Sequence, residues 1–230
     1  MEKLKSLIKS VKTSSWLTRG SRLGHSKKES ISNKKDAIHP EELGKHEVPI
    51  PEDQLPKGWL HLHDLLLVNP QSPSGYSHID HVIITPQCLF IVESKNYHGE
   101  IKGMRIEEEW TLRKQLKIPN PFIRHAEQIN AIKSHLSDYK ELRVISLISF
   151  TLRARLNLEN ELRQMHSDEL VGYNIEIFEM ITRKFTRLKT EHPAAALSDL
   201  NIRHIYETLK KGNVTYKGIR AEHEAAQKGS

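Results

Sequence analysis

The sequence is poor in cysteine and has no long apolar run, and both features narrow the class of protein. Cys88 is the only cysteine among 230 residues, which excludes an internal disulfide and a CxxC zinc site. Because no run of about 18 apolar residues exists, we expect no transmembrane helix. The N-terminal stretch has lysines but lacks the continuous apolar core of a signal peptide. We therefore expect a cytoplasmic protein in a reducing environment.

The positive charge of the chain is concentrated at its N-terminus. The net charge is +6, yet residues 1–39 alone hold ten Lys/Arg and three Asp/Glu, a net charge of +7. Apolar residues between Leu4 and Val11 recur at helical spacing with lysines between them, and residues 20–35 have the composition of a linker. The charge of this segment predicts that it contacts nucleic acid or an anionic surface. The alternative is that its helix is solvated or packs against a partner.

The rest of the chain alternates between predicted strands and helices. Runs of apolar and β-branched residues predict strands at residues 59–68, 78–84, 89–97 and 143–150. Helical spacing predicts helices at residues 121–137 and 198–212, a strand leading into a helix at 169–185, and a short helix after Pro40. Because a strand, a helix and a buried strand follow one another, we expect a βαβ crossover. The pattern predicts an α/β fold with a central mixed sheet flanked by helices, and a frayed C-terminus.

Three charged residues lie on two strands that are otherwise apolar. If residues 85–88 form a four-residue hairpin loop, Asp80 lies opposite Glu93. Side chains alternate between the faces of a strand, so Glu93 and Lys95 point the same way. Charges on buried strands are costly unless they are paired. The sequence therefore predicts that Asp80, Glu93 and Lys95 meet at one end of the hairpin.

These residue types suit a metal-dependent hydrolytic site. Two converging carboxylates are hard oxygen ligands of the kind that Mg²⁺ or Mn²⁺ prefers. The lysine could orient or deprotonate an attacking water, or neutralise charge on a phosphate, as metal-assisted phosphodiester hydrolysis requires. The alternative is an ordinary ion pair on a half-exposed hairpin, since an E-x-K spacing occurs often by chance.

A longer motif surrounds the three charged residues. It consists of Gly75, HIDHVII at residues 78–84, LFIVESKNYHGEIKG at residues 89–103, Trp110 and Asn120-Pro121. This motif resembles that of the nuclease-related domain (NERD) family, a branch of the PD-(D/E)xK proteins with a restriction-endonuclease-like core. Together with the composition of the termini, the resemblance predicts four parts of the chain: a basic tail and linker (1–39), a NERD-like domain (40–155), a C-terminal α/β extension packed on the core (156–212) and a tail (213–230).

The resemblance also implies an activity and a set of residues. It implies a Mg²⁺-dependent nuclease that acts in DNA processing, with Asp80, Glu93 and Lys95 as catalytic residues and the two acids as metal ligands. Further candidates are Glu42 as a metal ligand and His78, Arg124 and Gln128 as contacts to nucleic acid. Two alternatives remain: a catalytically weakened nucleic-acid-binding or scaffold protein that keeps the fold, and a protein that binds membrane surfaces through its first helix.

Overall fold

The computed structural model describes Ile50 and residues 52–228. These residues belong to the unit Asp36–Ser230, and the other unit of the chain, Met1–Lys35, lies outside the described residues. The predicted basic helix, the linker, the short helix after Pro40 and the candidate ligand Glu42 lie outside them too.

Within the described residues the chain forms nine strands and four α-helices. The strands are β1 (Leu60–Val68), β2 (Tyr76–Ile84), β3 (Leu89–Lys95), β4 (Gly99–Gly103), β5 (Glu109–Leu112), β6 (Leu116–Pro119), β7 (Val144–Phe150), β8 (Ala154–Leu158) and β9 (Glu169–Tyr173). The helices are α1 (Pro121–His135), α2 (Ile177–Glu191), α3 (Asp199–Gly212) and α4 (Lys217–Lys228). In this part of the chain no helix combines the length and the apolar character needed to span a bilayer.

The larger sheet is mixed and has the strand order β1-β2-β3-β7-β9. Strands β1, β2 and β3 are antiparallel neighbours, whereas β3, β7 and β9 run parallel. Because α1 lies between the parallel strands β3 and β7 in the chain, the predicted crossover is confirmed. Apolar residues of α1 and α3 pack in one core cluster with those of β1 and β2. Apolar residues of α2 pack in a second core cluster with those of β3 and β7. The predicted α/β fold with a mixed sheet and flanking helices is thus confirmed.

A second sheet of four short strands, with the order β6-β5-β4-β8, was not predicted from the sequence. Trp110 of β5 is fully buried and packs closely against Gly103 of β4, where a Cβ atom would stand 2.1 Å from the indole ring. The indole nitrogen donates to the carbonyl oxygen of Met104 at 3.0 Å. Trp110 packs in one core cluster with Ile148 and Phe150 of β7, which joins the two sheets.

The prediction of a frayed C-terminus is wrong, because residues 217–228 form helix α4. The segment before this helix covers the edge of β1, where Val214 donates its backbone N–H to the carbonyl oxygen of Leu66 at 2.8 Å. The side chain of Asn213 accepts from the backbone N–H of Leu66 at 2.9 Å. In α4 itself, His223 is buried and its Nδ1 lies 2.9 Å from the hydroxyl of Ser74. These contacts hold α4 beside β1 and β2.

A buried lysine joins α2 to the segment before β9. Lys184 is fully buried, and its ammonium group donates to the carbonyl oxygens of Met165 at 3.0 Å and Ser167 at 2.7 Å. The same group lies 3.0 Å from Oδ1 of Asp168. A single cation therefore satisfies several backbone acceptors that would otherwise be poorly solvated.

The carboxylate of Asp168 should make stability depend on pH. Burial acts to raise the pKa of Asp168, but hydrogen bonds from Arg143 and Lys184 outweigh it, and the pKa lies below its ordinary value of 3.8. A carboxylate with a lowered native pKa stabilises the fold above its unfolded-state pKa, and this contribution is lost as pH falls through the native value. At neutral pH we expect Asp168→Asn to unfold at a lower urea concentration than wild type, with a difference that fades below about pH 4. A difference that stays constant down to low pH would contradict this assignment.

Candidate active site

The β2–β3 hairpin has the predicted register. Residues 85–88 connect the two strands, and the ladder pairs His81 with Val92 and Ile84 with Leu89. The hydroxyl of Thr85 closes the loop by accepting from the backbone N–H of Cys88 at 3.1 Å. Burial raises the pKa of the Cys88 thiol to about 12, so the thiol is unreactive at neutral pH.

Asp80 lies where the β2–β3 ladder ends. Beyond the pair of His81 and Val92, the two strands share no further ladder pair. Instead, Oδ2 of Asp80 accepts from the backbone N–H of Ser94 at 3.2 Å. The side chain is 18% exposed, and the charge of Glu93 acts on it. The carboxylate of Asp80 therefore reaches across to β3 beside Glu93.

Glu93 is a buried carboxylate surrounded by groups that carry or can carry positive charge. Its Oε1 accepts from the ammonium group of Lys95 at 2.8 Å and lies 3.8 Å from the guanidinium of Arg124. Its Oε2 lies 3.3 Å from Nε2 of His125. Burial acts to raise the pKa of Glu93, but Lys95, His125 and Arg124 outweigh it and hold the pKa far below its usual range. Glu93 is therefore ionised at neutral pH.

Lys95 completes this pair on the same face of β3, as strand alternation predicted. Burial acts to lower the pKa of Lys95, but the carboxylate of Glu93 outweighs burial and the pKa is raised. The ammonium group therefore stays charged at neutral pH. Because the side chain is 19% exposed, a ligand can reach this group. The predicted proximity of Glu93 and Lys95 is confirmed by the 2.8 Å contact.

His125 is a member of the site that sequence reasoning missed. Asn120 caps α1 by accepting from the backbone N–H of Phe122 at 3.0 Å, which fixes where the helix begins. His125 lies on the buried face of α1, with Nδ1 hydrogen-bonded to the hydroxyl of Ser146 on β7. A signal was available, since His125 is three residues after Phe122 and four before Ile129 on a helix and so interrupts its apolar stripe.

The predicted nucleic-acid contacts differ in their accessibility. Arg124 is 35% exposed and lies beside Glu93. His78 and Gln128 are both buried. The amide nitrogen of Gln128 donates to the carbonyl oxygen of His78 at 2.8 Å, so it ties α1 to β2. Their contact with nucleic acid stays a prediction, and Arg124 is the one of the three with substantial exposure.

The imidazole of His78 bridges two carboxylates. Its Nε2 lies 2.7 Å from Oδ1 of Asp64 on β1, and its Nδ1 lies 3.3 Å from Oδ1 of Asp80. Burial acts to raise the pKa of Asp80 and Glu93 adds to that, but the imidazole of His78 and the backbone N–H of Ser94 outweigh them, and the pKa is lowered. Both acids of the site are therefore ionised at neutral pH.

A mixed sheet that carries an aspartate and an E-x-K pair on neighbouring strands is consistent with a nuclease-like α/β core. Residues 47–151 match the model of the family described as the nuclease-related domain, so this segment is similar to that domain and the resemblance seen in the sequence is confirmed. A nuclease-related function with nucleic acid as the partner agrees with this assignment.

Similarity extends beyond the matched segment. An uncharacterized protein of Bacillus anthracis is 27% identical to this chain over 171 residues, which cover 73% of this chain and 74% of that protein. No solved structure matches the chain.

Proposed function

We propose that this protein hydrolyses phosphodiester bonds of DNA with the help of Mg²⁺ or Mn²⁺. The observation that supports the proposal most is the state of Glu93. Other side chains keep this buried carboxylate ionised, yet its Oε2 atom makes no well-aligned hydrogen bond among the described residues, and its nearest polar neighbour there is Nε2 of His125 at 3.3 Å. A buried charged oxygen with incomplete hydrogen bonding is costly, and a bound cation would reduce that cost.

The residues present fit a divalent ion that Asp80 and Glu93 would hold. Mg²⁺ commonly binds through one or two carboxylates and keeps water and substrate phosphate as its other ligands. Two carboxylates therefore suffice, although no group of three or more His, Cys, Asp or Glu side chains in the described part of the chain is arranged to hold a metal. When bound, the ion would polarise the phosphate and lower the pKa of a bound water.

The side chains around the two acids would perform the remaining tasks. Lys95 places an ammonium group beside Glu93, where it can stabilise negative charge that develops on the phosphate. Arg124 is partly exposed and can contact a phosphate of the bound strand. His125 and Ser146 hold Glu93 in place from the buried side.

The basic N-terminal segment and the cellular location complete the proposal. Residues 1–39 carry a net charge of +7. We expect them to contact phosphates of DNA and to add affinity that does not depend on base sequence. A single buried thiol and no disulfide suit the reducing cytoplasm.

A plasmid-nicking assay tests the proposed function. With Mg²⁺, wild type should relax supercoiled DNA, and EDTA should stop the reaction. We expect Asp80→Asn to reduce the rate by about 100-fold or more, because loss of a ligand weakens the metal site. Asp138→Asn, the same change at an exposed position after α1, is the matched control and should behave like wild type.

Two outcomes of this assay count against hydrolysis at the site. Nicking that persists in EDTA, or that survives the change at Asp80, would place the activity elsewhere. Binding of DNA by wild type without cleavage at any Mg²⁺ or Mn²⁺ concentration would identify the non-catalytic alternative.

A further inference from the structure

A series of polar contacts connects the candidate site to the C-terminal helix. The guanidinium of Arg220 on α4 lies 2.5 Å from Oδ1 of Asp64 and donates to the carbonyl oxygen of the same residue at 3.2 Å. The same Oδ1 lies 2.7 Å from Nε2 of His78. Nδ1 of His78 in turn lies 3.3 Å from Oδ1 of Asp80. The series therefore ends at a carboxylate that we assign to the metal.

The backbone of β1 has an unusual conformation at Asp64, the residue of this series that Arg220 contacts. Asp64 has a φ of 52°, in the left-handed region that residues with a Cβ rarely occupy. The β1–β2 ladder pairs His63 with His81 and Leu65 with Ile79, but no ladder pair joins Asp64 and Asp80 between them. A backbone conformation of this kind persists where the surroundings hold it. Arg220, which contacts both the carboxylate and the carbonyl oxygen of Asp64, is such a restraint.

Contacts with the backbone fix the position of Arg220. Its other terminal nitrogen donates to the carbonyl oxygen of Val214 at 3.0 Å, and the N–H of Val214 is bonded to Leu66 of β1. The side chain of Arg220 is 20% exposed, whereas that of Asp64 is 55% exposed. The arginine is therefore held by the backbone, and it contacts an acid that is itself largely exposed.

We propose that Arg220 is a positioning residue of the candidate active site, which acts through Asp64 and His78 to orient the carboxylate of Asp80. The role of Asp80 in this statement rests on the proposed function. The inference extends the functional unit to α4, which lies outside the residues 47–151 that match the family model. Without Arg220, His78 would lose the restraint on its acidic partner, and Asp80 would bind a divalent ion less tightly.

The test compares Arg220→Gln with Arg203→Gln, the same change at an exposed position of α3. For each full-length protein, calorimetry gives the dissociation constant of Mn²⁺, and NMR gives the imidazole ¹⁵N shifts of His78 in the metal-free state. We expect Arg220→Gln to move the His78 signals and to weaken Mn²⁺ binding by about 10-fold, the lower end of the range for loss of an outer partner of a metal ligand. Arg203→Gln should change neither.

Arg220→Lys serves as a second variant if the glutamine variant does not fold. It keeps the charge but not the fork of donors that contacts Asp64 and Val214, so it should move the His78 signals and weaken Mn²⁺ binding by a smaller factor. The proposal is overturned if the folded variants at position 220 match Arg203→Gln in both measurements, even if they unfold at lower temperature. Shifted His78 signals with unchanged Mn²⁺ affinity would also overturn it, because Asp80 would then be unaffected.

Failure of the proposed function gives a different result. If wild type binds no Mn²⁺, the metal-dependent function fails, and the His78 signals alone decide whether Arg220 controls this imidazole. If wild type binds Mn²⁺ and the variants at position 220 bind it equally well, the proposed function stands and the positioning role of Arg220 is refuted.

Discussion

Replacement of Lys95 by methionine should lower the rate of DNA hydrolysis by roughly 100- to 1,000-fold, the usual effect of removing one donor that stabilises transition-state charge. Lys95 is the cation whose 2.8 Å contact with Glu93 places it beside the proposed metal. Methionine fills a similar volume but carries no charge. DNA affinity should change little, because many phosphate contacts share the binding energy. The measurement is single-turnover cleavage of a labelled duplex at saturating protein.

The change at Lys95 also removes a partner of a buried carboxylate, so folding must be checked by circular dichroism. Lys133→Met, on an exposed position of α1, controls for the loss of one positive charge. Lys95→Arg keeps the charge and should restore part of the rate. If Lys95→Met is folded and cleaves DNA at the wild-type rate, the lysine has no part in the chemistry.

Lys184→Met should lower the free energy of unfolding by about 3 kcal/mol, near the lower end of the range for removing one member of a buried ion pair. The buried ammonium group binds the carbonyl oxygens of Met165 and Ser167 and lies 3.0 Å from Asp168. Methionine can replace none of these contacts. The loss is near the lower end because Asp168 is partly exposed and keeps its hydrogen bond from Arg143. Urea unfolding monitored by tryptophan fluorescence gives the value.

Lys189→Met is the matched control for this effect. Lys189 is an exposed residue of the same helix, and its replacement should change the stability by less than about 0.5 kcal/mol. If both variants lose the same small amount of stability, the buried ammonium group contributes far less than its contacts indicate.

The hairpin of the site could be predicted because its geometry is local. Four residues separate Ile84 from Leu89, so the loop length alone sets the register. Strand alternation then places Glu93 and Lys95 on one face. The sequence could not place Asp80 in detail, because its carboxylate bonds to the backbone of Ser94 where the two strands separate.

The second sheet escaped prediction because its strands are only four or five residues long, and α4 because Ile219 is its only large apolar residue. Strand β4 reads GEIKG, in which only Ile101 is buried. Helix α4 reads KGIRAEHEAAQK, and the buried side chain on it is a histidine, His223. Contacts with distant parts of the chain stabilise both elements, and such contacts leave no local pattern.

The side chains that contact the acids of the site were not predicted because they come from distant parts of the chain. His125 reaches Glu93 from a helix that begins 28 residues later in the chain, and Arg220 reaches Asp64 across 156 residues. Single histidines and arginines on amphipathic helices are common, so an interruption of the apolar stripe such as that at His125 does not by itself assign a residue to a site. Only the folded chain brings them to the carboxylates.

Titration of Mn²⁺ into the metal-free protein by calorimetry tests most directly whether the acids at positions 80 and 93 share a divalent ion. We predict that wild type and Asp138→Asn bind one equivalent of Mn²⁺ with the same affinity. Asp80→Asn and Glu93→Gln should each weaken that binding by about 10-fold or more. Equal affinity in all four proteins, or no binding by wild type, would contradict a shared metal site.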